Sequence, residues 1–111
     1  MIGHSDFDNE KQNKIDHLIS LGGDAIYVKA DITDHTQIKI GFNSVIEKFG
    51  NINGVIHSAM YLHDKLIVNM TRNDFIKALN TKTLGCFNVG DVCRKMKLDF
   101  MVFFSSIESY L

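Results

Sequence analysis

Two polar residues in the C-terminal half of the chain, Lys82 and Ser106, have side chains that can act on a carbonyl group. A serine hydroxyl can hydrogen-bond a substrate carbonyl, and the charge of a lysine can tune the pKa of a neighbouring acid. Each residue also has an ordinary interpretation. Ser106 can cap a following helix or turn, and Lys82 can be a solvent-exposed lysine, which the residues alone favour.

A carboxylate and a group of small residues offer a second kind of chemistry, the binding of a flat ligand. Asp31 can accept a hydrogen bond from a ligand amine, or it can cap the next helix, a role that Asp34 fits better. In Gly54–Ala59, small side chains would allow a cofactor to approach the backbone, although tight packing explains them equally well. His57 in this stretch can titrate near neutral pH, but a single histidine at a strand end is more often structural.

The elements that must position these residues alternate between helical and extended patterns. Helices are predicted at about Asp8–Leu21, Asp34–Phe49 and Thr71–Met96, and strands at Ala25–Val28, Val55–Ile56 and Phe100–Phe104. Helical crossovers between strands predict an α/β fold with a parallel sheet. Ligands bind beyond the carboxyl ends of such strands, where Asp31, His57 and Ser106 are expected.

Two local patterns sharpen this prediction. Gly85 in the interior of the third helix costs about 1 kcal/mol relative to alanine, which suggests that another element approaches the helix closely there. The run Phe100–Phe104 is entirely apolar, as is typical of a parallel strand covered on both faces.

Composition excludes several classes of function. The net charge of -1 leaves no basic excess for nucleic acid, and the 45% hydrophobic content predicts a buried core. No apolar run approaches the roughly 20 residues that span a bilayer, and no signal peptide is evident. Cys86 and Cys93 lack metal-ligand spacing and are predicted to be reduced thiols in a cytoplasmic protein without a bound metal.

Taken together, these segments resemble the ketoreductase domains of modular polyketide synthases, which belong to the short-chain dehydrogenase/reductase superfamily. The resemblance is carried by Gly3-His4-Ser5, Asp31-Ile32-Thr33-Asp34, the stretch Phe49–Ala59, Lys82-Thr83-Leu84-Gly85 and Phe103-Phe104-Ser105-Ser106. Ordinary short-chain dehydrogenases usually have asparagine where Lys82 stands, so the lysine favours the polyketide branch. The resemblance implies a partial Rossmann-like, three-layer α/β fold.

The resemblance also implies an activity, the NADPH-dependent reduction of the β-keto group of an acyl chain held on an acyl carrier protein. Ser106 would hydrogen-bond the carbonyl, and Lys82, which lies 24 positions earlier, would tune a proton-donating tyrosine. Asp31 would contact adenine. Asp64 would lie on the substrate side, where it aligns with the last Asp of a motif associated with one stereochemical class of product.

The remaining cofactor-binding residues follow from the same resemblance. They are His4, Ser5, Ile32, His57, Ser58 and Ala59. The family usually has arginine at the position of His4 to meet the 2′-phosphate of NADPH, and His4 could do so only when protonated.

We expect residues 1–111 to be an incomplete ketoreductase domain that lacks the glycine-rich strand and loop and the Tyr-x-x-x-Asn segment. In the strand order of such sheets, Ala25–Val28 and Val55–Ile56 would flank a gap, with a stub of the second strand at the N-terminus. The chain alone should be inactive and marginally stable, self-associated through unpaired strands, or part of a larger protein beside other synthase domains. Two alternatives remain open, a non-catalytic split-domain fragment that docks on a partner chain and a generic short-chain dehydrogenase.

Overall fold

The computed structural model describes residues 1–60 and 66–105. Its elements in chain order are β1 (Ile2–Gly3), α1 (Asn9–Ser20), β2 (Val28–Lys29), α2 (His35–Phe49), β3 (Gly54–His57), a 3-10 turn (Ile67–Asn69), α3 (Arg72–Cys93) and β4 (Phe100–Phe103). The predicted alternation of helices and strands is therefore confirmed.

The strands form two separate parallel pairs. In one pair β1 lies beside β2, with Ile2 opposite Val28. In the other pair β3 lies beside β4, with Gly54 opposite Phe100. The prediction that Ala25–Val28 and Val55–Ile56 flank a gap is therefore wrong for the first of these two strands. The edge of β2 is covered by β1, and the edges that flank the groove between the sheets belong to β1 and β3.

Helix α2 packs against β2, and its buried residues belong to the core cluster against which Val55 of β3 and Met101 of β4 also pack. Asp34 caps it by accepting hydrogen bonds from the backbone N–H groups of Thr36 and Gln37, as predicted. The Gln37 side chain accepts a 3.0 Å hydrogen bond from the backbone N–H of Asp31. In a capping box it would instead accept from the backbone N–H of the N-cap residue Asp34, three residues later in the chain. Ile38 is fully buried at 0% exposure, so this face of α2 forms the centre of the hydrophobic core.

Helix α3 packs on the same side, beside α2. Thr71 and Asp74 form a complete capping box at its start. A Cβ added at Gly85 would lie 3.0 Å from Ile32 Cγ1, so the predicted close approach at this glycine is confirmed. Val89 and Cys93, one and two turns further on, join the core.

Helix α1 lies against the opposite face of the β1–β2 pair. Tyr27 alternates with Val28 and so points away from α2, and its ring lies 5.6 Å from the ammonium group of Lys11 on α1. The Tyr27 ring also covers Gly3, where an added Cβ would meet its hydroxyl at 2.8 Å. Helices on both faces of parallel strands give the predicted three-layer α/β fold.

Strand β4 departs from its prediction. Met101 packs against the core, but Phe100, Val102 and Phe103 are 52%, 40% and 41% exposed. An unbroken apolar run predicts a strand covered on both faces, and among the described residues only one face of β4 is covered. Strand β4 therefore has more apolar side chains than the described part of the chain buries.

None of the helices in the described part of the chain is long and apolar enough to cross a membrane.

Candidate cofactor and catalytic site

A cleft of about 410 Å³ opens beyond the carboxyl ends of β1, β2 and β3. Four of the residues predicted to bind a cofactor line it together, although they lie on three different segments of the chain. They are His4, Asp31, Ile32 and Ala59. Helix α3 closes the opposite wall with Lys77, Asn80 and Thr81. His4 and Asp31 thus converge where ligands bind in parallel α/β sheets.

Asp31 shapes the turn that follows β2. Its Oδ1 accepts hydrogen bonds from the backbone N–H and the hydroxyl of Thr33, both at 2.8 Å. Its own backbone N–H is held by the Gln37 side chain. Both bonds to Thr33 use Oδ1, and within residues 1–60 and 66–105 no hydrogen bond uses Oδ2, which can therefore accept one from a ligand amine.

The two predicted residues that follow β1 are placed differently from each other. His4 is exposed and lines the cleft. Ser5 does not line it, and its backbone carbonyl accepts a 2.6 Å hydrogen bond from the Tyr27 hydroxyl. The structure therefore brings His4, but not Ser5, to the cleft wall.

His57 and Ser58 lie at a second cavity, a groove of about 500 Å³ between β1 and β3. The His57 side chain is only 3% exposed, and its ring meets that of Phe103 edge-on at 5.8 Å between centroids. Burial, and secondarily the positive charge of Lys82, lower the pKa of His57, while a hydrogen bond with the Thr81 backbone opposes them. Burial and the charge of Lys82 therefore favour the neutral form of the His57 ring, which lies beneath α3.

Lys82 lies in α3, one turn before Gly85, and its side chain is half-buried rather than solvent-exposed. Its ammonium group donates a 3.1 Å hydrogen bond to the backbone carbonyl of Phe104, directly after β4. The lysine therefore reaches the carboxyl end of the strand that leads to Ser106. Ser106 itself and Asp64 lie outside the described residues.

Asn88 is a site-forming residue that the sequence analysis did not identify. It is 6% exposed, and its Nδ2 donates a 2.9 Å hydrogen bond to the backbone carbonyl of Ile32 in the cleft wall. Its position three residues after Gly85 was the available signal, because that spacing places it on the helix face that the glycine brings close to the sheet.

The described residues contain no group of three potential metal ligands. Cys86 and Cys93 are free thiols, and burial raises the pKa of Cys93. A buried thiol with a raised pKa has little thiolate character, so Cys93 is a packing residue.

The chain matches the family model described as "KR domain" over residues 1–111. It is 34% identical over 111 residues to polyketide synthase PksM of Bacillus subtilis (strain 168), and the match covers 100% of this chain and 3% of that protein. The chain thus spans only a small part of the relatives it matches.

Solved structures give the same picture. An N-terminal ketoreductase from the macrolactin assembly line superposes with a TM-score of 0.93 at 30% identity, over 99% of this chain and 23% of that one. A short-chain dehydrogenase from Burkholderia cenocepacia J2315, solved in complex with NADP, superposes with a TM-score of 0.84 at 18% identity, over 97% of this chain and 45% of that one. At 18% identity, the similarity to the Burkholderia enzyme shows a shared fold and nothing more.

Proposed function

Because this chain belongs to the KR domain family, we propose that it is the central segment of a ketoreductase domain of a polyketide synthase. The complete domain would reduce the β-keto group of an acyl chain carried on an acyl carrier protein, with NADPH as the hydride donor. The observation that carries the proposal is the convergence of His4, Asp31 and Ala59 on one cleft, while Lys82 reaches the end of β4.

The cleft fits the adenosine end of a dinucleotide in the chemistry of its residues. Asp31 Oδ2 can accept a hydrogen bond from the adenine amino group, since Oδ1 is occupied by Thr33. His4, when protonated, would lie near the 2′-phosphate, and Lys77 adds a second cation to the wall. NADPH would supply the hydride, and these residues would bind and orient it.

The catalytic role falls to the lysine and the serine. Lys82 donates a hydrogen bond to the Phe104 carbonyl and so would help to position the segment that contains Ser106. Ser106 would then hydrogen-bond the substrate carbonyl, and the ammonium charge of Lys82 would favour the ionised form of a proton-donating tyrosine supplied by the rest of the domain. Asp64 would lie on the substrate side.

In this proposal the chain forms only part of the ketoreductase domain. The chain spans 3% of PksM and 23% of the macrolactin ketoreductase, so further segments of the synthase would supply the phosphate loop and the tyrosine. We expect the 111 residues alone to show no NADPH turnover.

A second candidate function is a split-domain fragment that docks on a complementary chain. The groove between β1 and β3 favours it, because both flanking strand edges lack a strand partner among the described residues. The proposal of a generic short-chain dehydrogenase has less support, since the identity to the Burkholderia enzyme is 18% against 30% for the macrolactin ketoreductase.

The test is NADPH oxidation by the complete ketoreductase domain of the parent synthase with a β-keto thioester. We expect Lys82→Gln to lower kcat by about 100-fold or more, because it removes the charge that assists proton transfer. The matched control is Lys95→Gln, which changes an exposed lysine just after α3 and should leave kcat unchanged. A domain without NADPH-dependent reduction, or a Lys82→Gln domain with wild-type kcat, would refute the proposal.

A further inference from the structure

The turn that follows β2 forms one wall of the cleft, which is lined there by Asp31, Ile32 and Thr33. Most hydrogen bonds that shape this turn are local. Asp31 Oδ1 accepts from Thr33, and the Gln37 side chain accepts from the backbone N–H of Asp31. The backbone N–H of Asp34 donates to the Asp31 carbonyl at 3.1 Å. Because these bonds join near neighbours in the chain, they do not fix the turn relative to the opposite wall of the cleft.

Asn88 supplies the long-range bond that the local contacts do not provide. Its Nδ2 donates a 2.9 Å hydrogen bond to the carbonyl of Ile32, 56 positions earlier in the chain, and the residue is only 6% exposed. Within residues 1–60 and 66–105, no other hydrogen bond joins the turn to α3. Helix α3 also forms the opposite wall of the cleft. The Asn88 bond therefore ties the two walls together.

One rigid peptide group transmits the effect of Asn88 to a carboxylate. The carbonyl of Ile32, which Asn88 holds, and the N–H of Thr33, which donates to Asp31 Oδ1, belong to the same peptide group. A trans peptide group is planar, and its C=O and N–H point in opposite directions. A rotation of this plane that breaks the bond to Asn88 would therefore also turn the N–H away from Asp31. Asn88 thus orients the Asp31 carboxylate through the peptide group between them.

The packing of α3 restrains the same residue sterically. Gly85 lies three residues before Asn88, and a Cβ added there would lie 3.0 Å from Ile32 Cγ1 and 3.3 Å from Ile32 Cγ2. The side chain of Ile32 is therefore packed against the helix while its carbonyl is held by Asn88. Both restraints oppose a movement of the Ile32–Thr33 peptide group.

We infer that Asn88 is a positioning residue for the adenosine end of the dinucleotide, and that it acts by orienting the Asp31 carboxylate through the Ile32–Thr33 peptide group. The inference rests on the proposed function, in which Asp31 Oδ2 accepts a hydrogen bond from the adenine amino group. Asn88 is buried and is not among the residues that line the cleft. Its loss should therefore change nucleotide affinity more than the rate of reduction.

The experiment is isothermal titration calorimetry of the complete ketoreductase domain with adenosine 2′,5′-bisphosphate, which carries adenine and the 2′-phosphate but no nicotinamide. Asn88→Leu keeps nearly the same side-chain shape and removes the donor. We expect this variant to raise the Kd about tenfold, which is the effect of losing one hydrogen bond that favours the binding arrangement of the turn. A Kd equal to the wild-type value would overturn the inference.

Cys93→Ala is the matched control for a loss of stability alone, because Cys93 lies in the same helix and is buried in the core. It should lower the free energy of unfolding and leave the Kd unchanged, and an equal rise in Kd in both variants would contradict the inference. In the reductase assay, Asn88→Leu should raise the KM for NADPH by about the factor seen in the Kd, whereas kcat should fall much less. A fall in kcat at unchanged KM would contradict the positioning role.

The dependence on Asp31 is tested by combining two substitutions. In a domain that already carries Asp31→Ala, Asn88→Leu should have little further effect on the Kd, because the carboxylate that Asn88 orients is gone. A full additional rise in Kd would show that Asn88 acts independently of Asp31 and would overturn the inference.

A measurement on the wild-type domain decides the question if Asn88→Leu does not fold. Because coupling between two equilibria is reciprocal, nucleotide binding strengthens the Asn88 bond by the factor by which that bond strengthens binding. Hydrogen exchange of the Asn88 side-chain amide should therefore slow about tenfold when adenosine 2′,5′-bisphosphate binds. Unchanged exchange would refute the role of Asn88.

Activity of the same samples separates this inference from the proposed function. A domain that reduces the β-keto thioester, but whose Asn88→Leu variant binds the bisphosphate as tightly as the wild type, would overturn the inference and leave the function in place. A domain that shows the expected Kd values without reducing the substrate would overturn the function and leave the inference in place. A wild-type domain that does not bind the bisphosphate would overturn both.

Discussion

Replacing Gly85 with alanine tests the close approach of α3 to the sheet, and Gly90 in the same helix provides the matched control. The new Cβ at position 85 would lie 3.0 Å from Ile32 Cγ1 and 3.3 Å from His57 Nε2. At position 90 an added Cβ meets nothing within 4 Å. The two substitutions are therefore chemically identical and differ only in the space around the added methyl group.

The expected magnitudes follow from two opposing effects. Alanine is favoured over glycine in a helix interior by about 1 kcal/mol, so Gly90→Ala should stabilise the protein by roughly that amount. Overpacking of a tight contact costs about 1–3 kcal/mol. Because Ile32 and the ring of His57 must both give way, Gly85→Ala should be neutral or destabilising by up to about 2 kcal/mol, which places the two variants about 1–3 kcal/mol apart.

The assay is urea unfolding of the complete domain, with the free energy of unfolding compared at constant denaturant slope. Equal stabilisation by both alanine substitutions would refute the close approach of α3. Loss of reductase activity in Gly85→Ala alone, with the free energy of unfolding unchanged, would assign the glycine a role in the proposed reduction rather than in packing.

Two further predictions concern buried polar groups. Asn88→Ala should destabilise the domain by about 1–3 kcal/mol, because it leaves the Ile32 carbonyl without its donor, whereas Asn43→Ala on the exposed face of α2 should have little effect in the same unfolding assay; equal effects would contradict the role of the Asn88 hydrogen bond. Burial and Lys82 lower the pKa of His57 in the folded protein. At pH values below the ordinary pKa of 6.5, the unfolded chain therefore binds more protons at this residue than the folded protein does. Stability should therefore be complete above pH 6.5 and fall as the pH drops toward the lowered pKa of His57, and comparison of unfolding curves should show a weaker dependence in His57→Gln; identical curves for the two proteins would be inconsistent with this assignment.

The order of helices and strands followed from the sequence because local signals mark these elements. Asp34 and Thr71 begin their helices with capping side chains, and Ile38 and Phe42 repeat at helical spacing toward the core. Gly85 predicted a close contact because glycine is otherwise unfavourable in the interior of a helix. These signals act over a few residues, so they can be read without knowing the tertiary structure.

The features that sequence reasoning missed are long-range. The pairing of β1 with β2 involves only two residues on each strand, which is too few for a periodic pattern, so the edges that flank the groove were assigned incorrectly. The exposure of β4 depends on which other elements cover it, and its apolar composition cannot report that. The half-burial of Lys82 likewise depends on a carbonyl 22 residues away.

Two side chains of α3 hold backbone carbonyls that belong to different sheets. Asn88 holds the carbonyl of Ile32 beyond β2, and Lys82 holds that of Phe104 beyond β4. Six residues of helix separate them, a rise of about 9 Å. The helix therefore sets the spacing between the turn that follows β2 and the carboxyl end of β4. Inserting one residue between Lys82 and Asn88 would rotate one anchor by about 100° relative to the other, so that only one of the two carbonyls could be held at a time.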